Sequence, residues 1–255
     1  MKRLLAAVAV LVVGATSFAS SGKFGLDFSW GLNVGFQSMK NVQFDYPTGV
    51  GDYPLEGKMA RTDMIFPVVR VSTYDFFLLD NMLGLFASAN LSFGLQFGDK
   101  VETDEVGEVK GSGLGGLSDG LMGIEFMVGP AFGIDLNENL RFQTGLGFHY
   151  LFAKSLMESV MDIASDGETP SISTHSFGIA LTPQLRFSPA KKASFILGCD
   201  FIFDFGRTGD VAFSFEYENL LSGDSDTWTA LIPADAMEGY FRFGFSPYIG
   251  VGINF

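Results

Sequence analysis

Residues 24–36 alternate strictly between apolar side chains at even positions and Gly, Asp, Ser or Asn at odd positions. Successive side chains of a β-strand point to opposite faces, so this period of two predicts a strand with one apolar and one polar face. The pattern returns in seven more segments: 64–78, 83–97, 122–136, 140–152, 177–187, 193–205 and 241–255. Only 64–78 is ambiguous, because Pro67 interrupts its run. The chain therefore predicts eight strands and an all-β fold.

The joins between these strands alternate in length. Three of them, at 79–81, 137–139 and 189–192, are short and rich in turn-forming residues. The other four, at about 38–63, 98–121, 154–175 and 207–239, are much longer. We expect tight turns at one end of the molecule and long loops at the other. Within the long joins, we expect a short amphipathic helical turn at 154–164 and two further strands at 211–217 and 227–232.

The Phe residues decide which face of the strands points inward. Twenty of the 28 Phe lie on the apolar faces, and the interior of an eight-stranded barrel is only just wide enough for ordinary side chains. The polar faces carry 17 of the 32 Gly and would fit inside. The apolar faces must then meet lipid, and closure of the sheet leaves no unpaired backbone edge in hydrocarbon. The sequence predicts an eight-stranded antiparallel up-and-down transmembrane β-barrel.

The N-terminal stretch is typical of an export signal. Lys2 and Arg3 precede the apolar run LLAAVAVLVV, and small residues surround Ala19. These features predict a signal peptide at 1–19 and a single barrel domain at 20–255. No later stretch is apolar enough for a transmembrane helix. Cys199 is the single cysteine and falls on the lipid-facing side, so we expect no internal disulfide.

Together, the signal, the eight alternating strands, the alternately short and long joins and the final aromatic residue resemble the small outer-membrane barrels of the OmpX, OmpA-barrel and OmpW families. The phrase YIGVGINF at the end of the chain is similar to a strand phrase in OmpW-like barrels. The resemblance implies periplasmic turns, extracellular loops, contact with outer-membrane lipid and recognition by the barrel-assembly machinery. It assigns the assembly signal to Val251, Ile253 and Phe255.

Charged and ionisable side chains on the polar faces form a predicted lumen-lining network. Its ten members are Asp27, Arg70, Glu125, Asp135, Arg141, His149, Arg186, Asp200, Asp204 and Arg242. The turn at 137–139 sets Asp135 directly opposite Arg141. Two interpretations are open: the charges line a polar passage, or they pair and plug the barrel, since buried ions need partners. Two interpretations are equally open for the inward Gly residues: they leave space in the lumen, or they relieve crowding where the sheet bends.

We expect no catalytic residue, no cofactor and no metal. His149 has no Ser two positions away, and Ser176 follows His175 on the opposite face of its strand, so neither forms a Ser–His pair. Asp224 and Asp226 lack the ordered ligand series of a calcium loop. The net charge of −13, concentrated in the long joins, argues against nucleic-acid binding.

Three functions fit an exported barrel of this kind. The first is a narrow, porin-like channel for small or apolar solutes, as the OmpW resemblance implies. The alternative is a non-conducting structural or adhesion barrel whose acidic, surface-exposed loops contact an extracellular ligand or a host surface. The third is a lipid-modifying outer-membrane enzyme, in which His149 would be needed. A wide general porin is the function least compatible with the strand count, because a broad aqueous lumen needs about 16 strands.

Overall fold

The fold is taken from a computed structural model, which describes residues 23–47, 52–110, 120–155, 173–190, 192–218, 225–236 and 238–254. The predicted signal peptide and Phe255 lie outside the described residues, as do Asp224 and residues 156–164 of the predicted helical turn. These expectations stay predictions. In the described part of the chain, no helix is long and apolar enough to cross a membrane.

Strands make up nearly all of the described chain. They are β1 (Lys23–Pro47), β2 (Asp52–Leu78), β3 (Leu83–Thr103), β4 (Gly107–Lys110), β5 (Gly120–Asp135), β6 (Leu140–Ser155), β7 (Ser173–Leu181), β8 (Gln184–Ala190), β9 (Ala193–Thr208), β10 (Val211–Glu218), β11 (Ser225–Ile232) and β12 (Glu238–Asn254). A single turn of 3-10 helix spans Ala234–Ala236.

Eight strands close into a ring. The order is β1, β2, β3, β5, β6, then β7 with β8, then β9 and β12, and β12 pairs back with β1. Strands β7 and β8 are two halves of one wall strand, interrupted at Thr182 and Pro183, because both pair with β6 on one side and β9 on the other. Every pair is antiparallel. The predicted eight-stranded antiparallel barrel is confirmed, as are the three short turns that define what we call its turn end.

Alternating exposure confirms the predicted orientation of the wall. On β1, Trp30 is 51 % exposed and Asn33 is 0 % exposed. Val251 and Ile253 lie on the exterior of β12, where most large exposed side chains are apolar. An apolar exterior around a closed sheet is the arrangement that lipid requires, because closure leaves no unpaired strand edge in hydrocarbon.

Two bulges shift the alternation where the sequence pattern was ambiguous or misleading. On β2, Ile65 pairs with Gly94 and Val68 with Ser92, so the Phe66–Pro67 step is a bulge and Arg70 points inward. Near the end of β9, the pairing shifts between Phe177 and Gly178. The prediction that Gly206 faces the lumen is therefore wrong: a side chain there would strike the ring of Phe177, on the exterior.

The first long join, predicted as a loop at 38–63, is instead a hairpin. Strands β1 and β2 remain paired as far as Pro47 opposite Asp52, well beyond the barrel. Strands β3 and β4 extend this sheet, and β10 and β11 pair with each other in a separate sheet. The strands predicted at 211–217 and 227–232 are thus confirmed. We call the extension of β1 to β3, with β4, β10, β11 and the 3-10 turn, the cap.

The cap has an apolar core of its own. Its buried members are Met39, Val42, Phe44, Leu55, Met59, Val101 and Ile232. Ile232 comes from the fourth long join. Tyr240, near the start of β12, packs against the same core. The cap core therefore lies over the loop end of the barrel.

Candidate functional site in the barrel interior

The turn half of the interior is held by a buried ion pair between strands that are not neighbours. Arg186 Nη1 donates to Asp27 Oδ1 at 2.5 Å, and its Nε donates to Ser194 Oγ at 3.0 Å. Gln184 Nε2 donates to Asp27 Oδ2 at 3.1 Å. The second carboxylate oxygen is thus also satisfied, and β1 is tied to β8 across the lumen.

Arg70 occupies the middle of the barrel. Its Nη1 donates to both carboxylate oxygens of Asp200, at 2.8 and 3.0 Å, and its guanidinium lies 4.2 Å from the ring centre of Tyr248. Tyr248 in turn donates its hydroxyl to Gln184 Oε1 at 2.9 Å. A fixed, desolvated guanidinium over an aromatic ring combines a charge-assisted hydrogen bond with a cation–π contact. Tyr248 was not among the predicted residues, although its even position on β12 places it inward.

His149, Asp204 and Arg242 form a third cluster toward the loop end. His149 Nδ1 lies 2.6 Å from Asp204 Oδ1, and Arg242 Nη1 donates to Asp204 Oδ2 at 3.2 Å. Arg242 and Asp204 are directly opposed in the β9–β12 register. Arg242 Nε also lies 3.9 Å from Asp63, which accepts a hydrogen bond from Gln37. Asp63 was missed because its segment was predicted to be a loop.

Glu125 is held by two amides. Asn33 Nδ2 donates to Oε1 at 3.3 Å and Asn90 Nδ2 donates to Oε2 at 2.9 Å. All three side chains are buried. Glu125 forms no ion pair with any residue in the described ranges, which distinguishes it from the other buried acids of the predicted set.

Asp135 and Arg141 meet at the turn end, directly opposite each other as the turn predicts. Arg141 Nη1 donates to Asp135 Oδ1 at 2.8 Å, and its guanidinium stacks 4.3 Å from the ring centre of Phe76. The Asp135 side chain is 49 % exposed, whereas that of Arg141 is 10 % exposed. This pair therefore sits at the mouth of the barrel, and the other eight predicted residues lie buried within it.

The inward glycines serve both purposes that the sequence left open. A Cβ atom at Gly25 would lie 2.8 Å from Arg186 Nη2, and one at Gly35 would lie 3.0 Å from Arg242 Nε, so these residues make room for long cations. A Cβ atom at Gly31 would instead lie 3.0 Å from the Cα atom of Tyr248, so the wall itself closes in there. The space left by the first group is occupied, and the second group allows close approach of neighbouring strands.

The interior is closed between its two ends. A passage wide enough for water would expose the side chains that line it. Ten interior residues from successive levels are at most 4 % exposed: Asn33, Asp63, Arg70, Tyr74, Glu125, His149, Asp200, Asp204, Arg242 and Tyr248. Apart from Glu125, the charges thus pair, and together they fill the lumen, as the second interpretation of the sequence requires.

The two His residues lie in different surroundings. His149 is fully buried in the interior, whereas His175 is half-buried on the exterior, with Tyr150 Oη 2.6 Å from its Nδ1 and Ser176 pointing inward to Tyr240. Among the residues that the structure describes, no group of three or more His, Cys, Asp and Glu side chains is arranged to hold a metal ion.

No family model matches the chain, and no curated protein matches it. The solved structures similar to it include the outer membrane protein OprG from Pseudomonas aeruginosa, at 12 % identity over 92 % of this chain and 96 % of that chain, with a TM-score of 0.42. Ail, the attachment invasion locus protein of Yersinia pestis, is similar at 13 % identity, with coverages of 92 % and 99 % and a TM-score of 0.37. The outer membrane protease OmpT from Escherichia coli follows at 9 % identity, with coverages of 91 % and 97 % and a TM-score of 0.35. The ring of eight strands with its apolar exterior is the arrangement of a transmembrane β-barrel.

Proposed function

We propose that this protein is a closed outer-membrane barrel that acts at the cell surface through its cap, and that it does not conduct solutes. The observation that carries this proposal is the closed interior, in which Arg70, Asp200 and Tyr248 meet in the middle of the lumen. A solute would have to break an ion pair in which Arg70 Nη1 serves both carboxylate oxygens of Asp200, and displace a buried aromatic ring. Removing one partner of a buried ion pair is costly, because it leaves the other charge without compensation.

The cap supports the same function because it packs against the loop end. Arg207 links the barrel to the cap: its Nη1 lies 3.5 Å from Met39 Sδ, its Nη2 donates to the Asp210 carbonyl oxygen at 3.4 Å, and its guanidinium lies 5.7 Å from the Tyr240 ring centre. Ala234 N donates to Asp210 Oδ1 at 3.1 Å, which fixes the 3-10 turn beside this contact. The fourth join is thus seated on the barrel mouth.

The outer face of the cap is the surface that a partner would meet. It is polar, with Lys58 opposite Glu102 and Glu102 opposite Glu108 in adjacent strands. Lys100 Nζ donates to Glu108 Oε2 at 3.0 Å, and this contact lowers the pKa of the Glu108 carboxyl and raises that of Lys100. We infer that an extracellular ligand or host surface contacts this face, while the closed barrel serves as an anchor without enzymatic activity.

Planar-bilayer recording tests the closed barrel directly. We expect the purified protein to give no single-channel steps, because the described interior side chains are too deeply buried to line a water-sized path. Arg242→Ala, which empties part of the loop half, serves as the matched comparison. Discrete steps from the wild type, whose size changes in the Arg242→Ala variant, would contradict the proposal and support a narrow channel.

A cap deletion tests the surface role. Replacing residues 41–58 by a short Gly-Ser linker removes the paired extensions of β1 and β2 and should leave the barrel folded and inserted in the outer membrane. Adhesion of expressing cells to host-cell and abiotic surfaces should fall, whereas Asp135→Asn, at the exposed turn-end pair, should leave adhesion unchanged. Equal adhesion with and without the cap would refute the surface role.

A further inference from the structure

Glu125 presents a charge that the interior does not balance. Its side chain is 0 % exposed, and its two hydrogen bonds come from the neutral amides of Asn33 and Asn90. Moving a carboxylate out of water is expensive unless a positive charge or a proton accompanies it. The described residues supply no cation within ion-pair distance of Glu125.

The nearest charged neighbours are already engaged. Asp200 and Arg242 both lie within electrostatic range of Glu125. Asp200 is bound by Arg70, and Arg242 is bound by Asp204. Neither ion pair therefore supplies a cation to balance Glu125.

The two amides offer further oxygen atoms beside the carboxylate. Asn33 Oδ1 and Asn90 Oδ1 are buried and have no hydrogen-bond partner. Each lies on the same planar amide group as the nitrogen that donates to Glu125. Rotation of either amide by half a turn exchanges the positions of its nitrogen and oxygen without changing the shape of the side chain. This rotation breaks no hydrogen bond of the oxygen, because the oxygen makes none.

We propose that Glu125, Asn33 and Asn90 form a site for a small monovalent cation inside the barrel. Carboxylate and amide oxygens are ligands that suit hard cations. One carboxylate balances one positive charge, whereas a divalent ion would leave a surplus positive charge near Arg70 and Arg242. In the absence of a cation the amide nitrogens hold the carboxylate, and with a cation the amide oxygens join it as ligands.

Cation exchange at constant ionic strength tests the site. The full barrel in detergent micelles is heated at pH 8 in NaCl, KCl or the chloride of the large organic cation N-methylglucamine, and unfolding is followed by circular dichroism. We expect the midpoint in the better-fitting alkali chloride to exceed that in the organic salt by about 5 °C, since a ligand that binds only the folded state raises its stability. A general salt effect would be the same in all three.

Glu125→Gln is the decisive variant, because it keeps the shape of the side chain and removes its charge. Its unfolding midpoint should be the same in the three salts. Asp135→Asn, at the exposed turn-end pair, is the matched control and should keep the wild-type response. A wild-type midpoint that does not depend on the cation would overturn the site and indicate that Glu125 carries a proton.

Asn90→Asp provides a second test that does not depend on loss of binding. The second carboxylate should convert the site to one that prefers a divalent ion, so millimolar CaCl₂ should raise the midpoint of this variant and not that of the wild type. A folded Asn90→Asp barrel that gives no calcium response would contradict the placement of the site. Neither result depends on whether the cap binds a partner.

Discussion

The barrel interior and the cap core lie on the same face of β1 and β2, yet the interior is largely polar and the cap core is apolar. Within the barrel, β1 turns Asn33 inward and Phe36 outward, whereas in the cap it turns Phe44 inward and Gln43 outward. The polarity of the strand inverts between Phe36 and Met39, just before the bulge that lies between Met39 and Val42. The surrounding medium explains this inversion. The outer face of the barrel contacts lipid, which favours Phe36, and the outer face of the cap contacts water, which favours Gln43.

The two cores must therefore be stabilised by different forces. The cap core removes apolar side chains from water, which stabilises it without any requirement for precise pairing. The apolar side chains of the barrel wall already face lipid, so its interior depends on packing and on ion pairs such as Arg70–Asp200. Loss of one partner there exposes no surface to water and leaves a buried charge. We expect substitutions in the barrel interior to act globally and those in the cap to act locally.

The largest effect should come from Arg70→Met. This change leaves Asp200 buried without its cation, and we expect it to lower the free energy of unfolding by about 3–5 kcal/mol. The measurement is urea unfolding of the barrel in micelles, followed by Trp fluorescence. The double variant Arg70→Met with Asp200→Leu should regain most of this loss, because it removes both charges. A double variant no more stable than the single one would show that the cation–π contact, which both variants lack, carries the stability rather than the ion-pair charge.

Leu55→Ala in the cap should cost about 2–5 kcal/mol within the cap itself, through lost burial and the cavity left behind. Because the barrel does not depend on this core, the thermal midpoint of the barrel should change little. Limited proteolysis of the intact protein should show the difference, with faster cleavage in the cap and an intact barrel fragment. Phe28→Ala, on the lipid-facing wall, is the control and should leave the cap resistant. Cooperative loss of the whole barrel in Leu55→Ala would break the distinction between the two regions.

The alternation in the sequence predicted the number of strands, their direction and the inward position of Glu125 and Asp200, because period two and the limited interior volume determine these features. It also predicted the Asp135–Arg141 pair, which needs only the geometry of one turn. It could not predict that Arg186 binds Asp27, since these residues lie on strands that are not neighbours and meet only through the stagger of the closed sheet.

The cap was missed for a different reason. The extensions of β1 and β2 invert the polarity of the alternation and then pass through a bulge, so Met39, Met59 and Leu55 did not continue the pattern of the wall. Asp63 and Arg207 fell into predicted loops for the same reason. Bulges and a change of solvent along one strand are thus the features that a simple period-two pattern does not capture.

The smallest effect we predict concerns how the interior makes room for its large side chains. Gly198 lies against the ring of Tyr248, which also contacts Arg70 and Gln184. Gly198→Ala should push this ring away from both partners and cost about 1–3 kcal/mol, as overpacking does in a filled core. Urea unfolding measures the change.

Gly244→Ala is the matched control for this substitution, because it also points inward but its Cβ atom would come no closer than 3.2 Å to Ile202. It should change stability much less than Gly198→Ala. In the Arg70→Met background, the cost of Gly198→Ala should shrink, since displacing Tyr248 then breaks no cation–π contact. Equal costs in both backgrounds would mean that Gly198 serves the curvature of the wall, and the distinction between glycines that make room and glycines that allow close strand approach would fail at this position.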